Sequence, residues 1–168
     1  DTLVNELEPM DWEIFRAYKG TMAVGVTNAR TGQINYMDGL RMDKSCRMLQ
    51  ATCAIPLLFP AIEMDGQYYY DGGVCEPITI HKAEADGYRR HIIILTRDKT
   101  YVKEKSQSNE FAAKVLKRRF PNMVRPLLER HDYYNEEVAY CNELEAKGQA
   151  LLFRPDYPLD SMEKDIDK

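Results

Sequence analysis

Apolar residues along this chain recur at two spacings, and the points where the spacing changes divide it into short helices and strands. Trp12, Ile14, Phe15 and Tyr18 stand among acidic residues between Glu6 and Lys19, which predicts an amphipathic helix that Gly20 stops. Thr21 to Asn28 reads T-M-A-V-G-V-T-N, a largely buried strand, and the turn Asn28-Ala-Arg-Thr-Gly32 leads back into Gln33 to Met37 as a hairpin. Asp43 is placed to cap a helix in which Cys46, Leu49, Gln50 and Cys53 fall at three- and four-residue steps until Pro56 ends it. Ile62 to Met64 and Gln67 to Tyr70 flank Asp65-Gly66, a dipeptide that tolerates the left-handed backbone of a two-residue hairpin turn.

Further along, Pro77 to Asp86 predicts a helix, and His91-Ile-Ile-Ile-Leu95 predicts a fully buried strand inside a parallel sheet. Thr96 to Ser108 is polar and charged, an exposed connection or lid-like segment. Helices are expected at Asn109 to Arg119, Met123 to Arg130 and Asp132 to Lys147, the last closed by Gly148. Ala150 to Arg154 reads as a closing strand, and Leu159-Asp-Ser-Met-Glu-Lys starts a further helix. Strands alternating with helices make the fold class α/β. Neither repeats nor low-complexity segments interrupt the pattern.

Composition narrows the function. With 168 residues, 44% hydrophobic and 30% charged, the chain can bury the core of one globular domain. A formal charge of -4 leaves no nucleic-acid footprint, so nucleic acid is excluded as a partner. Lys103, Lys105, Lys114, Lys117, Arg118 and Arg119 are a local basic cluster. They read as a solvated helix face backed by Phe111, Val115 and Leu116; the other reading is transient contact with an anionic membrane surface. Cysteines at 46, 53, 75 and 141 show no C-x-x-C spacing, which fits reduced thiols in the cytoplasm better than disulfides or zinc. No run is apolar enough to span a membrane or to serve as a signal peptide. The chain opens with Asp1 in what reads as the middle of a fold, so it is expected to be a piece of a longer protein.

The chemistry centres on Gln67-Tyr-Tyr-Tyr-Asp71-Gly72-Gly73-Val-Cys-Glu-Pro77, which carries one carboxylate from a strand end into a glycine turn. Glycines there let the backbone turn sharply and approach a ligand, and open α/β sheets bind ligands at strand carboxyl ends. The plainer reading is a turn after a hairpin. Tyr68, Tyr69 and Tyr70 alternate faces, Tyr69 opposing the other two, and serve packing. The apolar run Pro56 to Ile62 reads as core packing. Ser45, Ser106, Ser108 and Ser161 lack the flanking glycines of a G-x-S-x-G nucleophile elbow, so none is assigned as nucleophile. His81, His91 and His131 read as structural or solvated, and no metal cluster is indicated.

Two segments together carry a family likeness. Ala51-Thr-Cys-Ala-Ile-Pro-Leu-Leu-Phe-Pro60, followed by a hairpin and then Tyr70-Asp71-Gly72-Gly73-x-x-x-Pro77, resembles the second half of the catalytic domain of patatin-like phospholipases. Val24 to Asn28 with its N-A-x-T-G turn fits the same likeness, and Arg130-His-Asp-Tyr-Tyr-Asn135 and Leu151-Leu-Phe-Arg-Pro155 resemble bacterial members. The resemblance implies a three-layer α/β/α fold with a mostly parallel central sheet and hairpins. It implies acyl-ester hydrolysis by a Ser-Asp dyad that needs no histidine and no cofactor, on a lipid or another carboxylic ester. Asp71 would be the dyad base, with Gly72 and Gly73 shaping its turn, and the resemblance makes Pro56 to Ile62 the wall of an acyl pocket beside it.

Residues 1–168 would then be the C-terminal part of one such catalytic domain, its nucleophile elbow and oxyanion loop expected upstream of residue 1. By itself the chain lacks the serine, and an isolated fragment is expected to expose apolar sheet surface. The alternatives are a non-catalytic lipid- or partner-binding domain that kept the fold, and a structural α/β domain in which Asp71 only hydrogen-bonds locally.

Overall fold

The computed structural model describes residues 2–158, so the helix expected from Leu159 and the position of Ser161 lie outside the described residues. The elements are α1 (Trp12–Ala17), β1 (Ala23–Asn28), β2 (Gln33–Asp38), α2 (Arg47–Thr52), β3 (Ile62–Met64), β4 (Gln67–Asp71), α3 (Ile80–Ala85), β5 (His91–Ile94), α4 (Gln107–Leu116), α5 (Val124–Ala146) and β6 (Ala150–Phe153). They fall into two compact units. The first holds the residues up to Pro77 together with Lys105–Arg130; the second holds Ile78–Glu104 and the residues from His131 onward.

The first unit is built on a sheet of order β2-β1-β4-β3 in which every pairing is antiparallel. Short turns dictate two of these pairings, β1 with β2 and β3 with β4. After β1 the Asn28 side chain accepts hydrogen bonds from the Arg30 and Thr31 amides at 2.9 and 3.2 Å, and Gly32 takes φ 68° to enter β2. Between β3 and β4, Asp65 and Gly66 have φ 49° and 71°, the pair of positive values that matches the twist of a two-residue hairpin. The β1–β4 register pairs Val26 with Asp71, Thr27 with Tyr70 and Asn28 with Tyr69.

Strand alternation then gives this sheet two apolar faces. Val24, Val26 and Tyr69 pack with Ala51 of α2 on one. Tyr70, flanked by Tyr68, packs with Ala112, Ala113 and Leu116 of α4 and with Phe120, Met123 and Leu127 on the other. The Phe120 ring meets Tyr68 at 5.7 Å and Tyr70 at 6.3 Å between centroids. The opposed placement of Tyr69 is as the alternation requires.

Several expectations for this unit change in detail. The first helix shrinks to α1 because Pro9 disfavours helical backbone at Glu8, leaving Leu3–Leu7 as one π-helical turn. Asp11 caps α1 by accepting from the Glu13 and Ile14 amides, and none of its residues is buried. Asp43 does not cap α2: its carboxylate is taken by the Ser45 amide at 2.9 Å, and Cys46 occupies the cap position with φ 53°. On α4 the buried face is Ala112, Ala113 and Leu116, whereas Phe111 and Val115 are exposed. Small alanines let the helix backbone approach the sheet, which turns the larger pair outward.

In the second unit β5 and β6 pair in parallel, His91 opposite Ala150 through to Ile94 opposite Phe153. Ile80, Ile93, Leu95, Cys141, Leu144 and Ala150 form the core beneath them. The expectation that the isoleucine run is buried on both faces is corrected: Ile92 and Ile94 are 72% and 78% exposed, and their partners Leu151 and Phe153 are exposed beside them. Helices cover one face of this pair only, so alternate residues point to solvent. The two helices expected between Met123 and Lys147 are one, α5, because nothing near His131-Asp132 breaks a helix and Pro126 falls in the first turn, where its missing N–H is harmless. Gly148, at φ 67°, ends it.

The α/β class stands, with helices packed on sheets. Its proportions differ from a mostly parallel sheet: among the named strands of the described residues only β5 and β6 pair in parallel, and the short links within β1–β2 and β3–β4 allow only antiparallel pairing there. Met123 is fully buried in the core under Tyr70. Met123→Ala is expected to lower unfolding stability by about 2–5 kcal/mol in a denaturant titration, through lost burial and the cavity left behind.

Candidate functional site

Asp71 is the last residue of β4, and its main chain is fixed on both sides. Its amide donates to the Ala54 carbonyl at 3.0 Å. Its carbonyl accepts from the hydroxyl of Thr27 at 2.8 Å, a residue of β1 with no solvent exposure. The chain then enters a 3-10 turn over Gly72–Val74, and Asp71 caps it: Oδ1 accepts from the Gly73 amide at 2.8 Å. Cys75 and Glu76 close the turn by donating to the Gly72 carbonyl.

Glycine is required at position 72 for a reason the sequence reading did not identify. Neither Gly72 nor Gly73 has positive φ. A Cβ on Gly72 would lie 2.4 Å from the carbonyl oxygen of Gly25, deep inside van der Waals contact with backbone. The first glycine is therefore a seat against β1, not a hinge. Gly25 has a second tie: its carbonyl accepts from the Thr52 hydroxyl at 2.7 Å. The A-T-C-A run and the D-G-G turn, distant in sequence, thus meet at one residue of β1, with Ala51 buried against the sheet and Ala54 holding the Asp71 amide.

Gly73 has a different neighbour. The guanidinium of Arg130, from α5, donates through Nε to the Gly73 carbonyl at 2.6 Å. Its Nη2 lies 3.5 Å from the point where a Gly73 Cβ would stand, and Asp71 Oδ1 lies 3.2 Å from that same point. A half-buried cation, a carboxylate and a fixed turn therefore share one small region. Cys75 borders it, its thiol donating to the Gly32 carbonyl at 3.3 Å; burial pushes that thiol up in pKa, partly offset by the Thr27 hydroxyl.

The other candidates lie elsewhere or have local duties. Ser45 donates to Asp43. Ser106 caps α4 and shares a 2.7 Å hydrogen bond with Ser108. His81 stacks on Tyr140 with its nearest carboxylate on Glu84, His131 stands 3.3 Å from Asp132, and His91 opens β5. Among the described residues no group of three or more His, Cys, Asp or Glu is placed to hold a metal. The run Pro56 to Ile62 divides: Pro56 is buried and Ala61 and Ile62 pack, partly buried, against the core, whereas Leu57, Leu58 and Phe59, like Ile55 before them, are exposed, and Leu57 has φ 75°. Pro56 and Pro60 hold the exposed residues between them as a turn that pairs with no strand. A cavity of about 310 Å³ in this unit is lined by Arg41, Asp43, Arg47, Glu63 and Asp65, at the hairpin tip and not at the Asp71 end of β4.

Thr27, Gly25, Thr52 and Arg130 are the site residues that sequence reasoning missed. A glycine inside a strand is a signal of close backbone approach, and Gly25 carried it; Thr52 and Arg130 stood inside runs quoted for the family likeness but with no role, because the partners of Thr27, Thr52 and Arg130 are distant in the chain.

Comparison with known families divides the chain. Residues 2–83 match the family model described as patatin-like phospholipase, and residues 120–168 match one described as a domain of unknown function, DUF6363. Arg130 to Asn135 and Leu151 to Pro155 fall in the second match. No curated protein matches the chain. Among the described residues no helix is long and apolar enough to cross a membrane.

The packing of the two glycines predicts unequal effects. Gly72→Ala has only backbone to displace and is expected to cost about 1–3 kcal/mol of stability, measured by thermal or denaturant unfolding. Gly73→Ala meets only side-chain ends and should cost distinctly less. A larger loss for Gly73→Ala would contradict the seat at Gly25. The thiols offer an independent check on the core of the second unit. All four cysteines are free; Cys53 is exposed, whereas Cys141 is fully buried and burial pushes its thiol up to about 11. At pH 8 only about one Cys141 in a thousand would be thiolate, so iodoacetamide should label Cys53 and spare Cys141 until the protein unfolds. Equal labelling in the native state would contradict this.

Proposed function

We propose that this chain, whose residues 2–83 match the patatin-like phospholipase family model, supplies the base of a serine acyl-ester hydrolase acting on lipid or other carboxylic esters. Asp71 is that base. The observation that carries the reading is the convergence of the A-T-C-A run and the Asp71-Gly72-Gly73 turn on Gly25, within the segment that matches a lipid acyl hydrolase family.

The chemistry needs a serine from the sequence preceding Asp1, along with backbone amides to hold an oxyanion. A serine hydroxyl is a weak nucleophile until a neighbour takes its proton. As its Oγ bonds to the ester carbon, the proton passes to Asp71 and the carbonyl becomes the oxyanion. Collapse breaks the bond to the leaving alkoxide, which takes the proton back from Asp71 and departs as the alcohol. Water, losing a proton to Asp71 in turn, then frees the carboxylic acid and restores the serine. For these transfers a carboxylate must be held still with one oxygen available. Oδ1 is tethered by the Gly73 amide, which orients Oδ2 for the role. The alternative, a lipid- or partner-binding domain of the same fold, would use the same scaffold without proton transfer.

In the full-length protein, Asp71→Asn is expected to reduce ester hydrolysis by about 10²- to 10⁴-fold while melting near the wild-type temperature. Unchanged hydrolysis would remove Asp71 from catalysis. If the wild type neither hydrolyses esters nor reacts with a serine-directed phosphonate, the binding domain is the better account.

A further inference from the structure

Arg130 lies in the 120–168 stretch matched only by a family of unknown function, yet its guanidinium grips the turn that presents Asp71. The contact joins residues 57 positions apart, and Nε approaches the Gly73 carbonyl at 2.6 Å, a short charge-assisted bond to a neutral acceptor. Gly73 is also the residue whose amide holds Asp71 Oδ1. One peptide unit on either side of Gly73 is therefore committed, its amide to the carboxylate and its carbonyl to Arg130.

The supporting packing comes from the same stretch. Phe120, Met123 and Leu127 fill the core beneath Tyr70, the residue before Asp71. Asn122 donates to the Arg30 carbonyl at 2.7 Å, and its own carbonyl abuts Gly32, where a Cβ would come within 2.1 Å. Residues 120–130 are thus built into the unit that carries Asp71, and Arg130 is where they reach the carboxylate's own turn.

We propose that Arg130 is a positioning residue for Asp71, so that the start of the region of unknown function completes the hydrolase site. This rests on the reading of Asp71 as the base. Without the guanidinium, the Gly73 peptide loses the partner that fixes its tilt, and the Oδ1 tether moves with it. Misplacing a reacting group by about 1 Å can cost about 100-fold in rate.

The test uses the full-length protein carrying Arg130→Met, Arg130→Lys, Asp71→Asn or the double variant Arg130→Met/Asp71→Asn. The control is Arg125→Ala, whose parent side chain is exposed and paired with Glu129 on the same helix. Hydrolysis of a short neutral ester and of a phospholipid is followed together with melting temperature. Arg130→Met should lower kcat about 10- to 100-fold on both substrates, with KM changed by no more than about twofold and little change in melting. Arg130→Lys should recover part of the loss, the double variant should be no worse than Asp71→Asn, and Arg125→Ala should match the wild type. If Asp71→Asn is inactive while Arg130→Met keeps the wild-type kcat, the positioning role is overturned and the base reading stands. A loss confined to the phospholipid and expressed in KM overturns it too, because Arg130 would then bind a headgroup. If Asp71→Asn retains full activity, the base reading falls and this inference falls with it. Should Arg130→Met unfold, Arg130→Gln, which keeps a donor at shorter reach, is judged by the same kcat criterion.

Discussion

The contact between Gly72 and the Gly25 carbonyl leaves no space for a side chain, and the position of Asp71 follows from it. β4 can end where it does only because its next residue fits flush against β1. The Thr27 hydroxyl then takes the Asp71 carbonyl, the Ala54 carbonyl takes the Asp71 amide, and the carboxylate caps the turn that follows. Two of these contacts fix the Asp71 main chain and the third its carboxylate, so the side chain starts from a fixed backbone and is held at one oxygen before any substrate arrives. Preorganisation of that kind is what a base needs, because little of the reaction's free energy then goes into arranging it.

The same geometry bears on the structural alternative, in which Asp71 merely caps its own turn. The cap is real, and it uses one oxygen. Thr27, Ala54 and Arg130 converge from β1, the residues after α2, and α5 on main-chain groups of the two residues that present it, and leave its second oxygen to other partners. The surroundings of the turn fit a carboxylate held for use.

Much of this was legible in the sequence wherever local backbone chemistry decides the outcome. Asp65-Gly66 marks a hairpin because both residues must take positive φ, and the tyrosine run alternates because a strand must. The D-G-G turn was found by its residue types, but its first glycine was assigned to sharp turning when it serves close packing, a distinction that depends on Gly25, 47 positions earlier. His91 to Leu95 looked fully buried because periodicity in a run of isoleucines does not say how many neighbours a strand will have. Arg130 stood in a family-like run, but its role was hidden for the same reason, since its partner is fixed by tertiary packing and not by spacing.

The central claim is that the Asp71 carboxylate serves a serine in the same protein. A crystal structure of the full-length protein trapped with a serine-directed phosphonate tests it most directly. The account predicts that the phosphonylated serine lies in the sequence before Asp1, with its Oγ about 2.6–3.2 Å from Asp71 Oδ2 and the Gly73 tether intact. A labelled serine standing well beyond hydrogen-bond reach, with another residue at its hydroxyl, would contradict it.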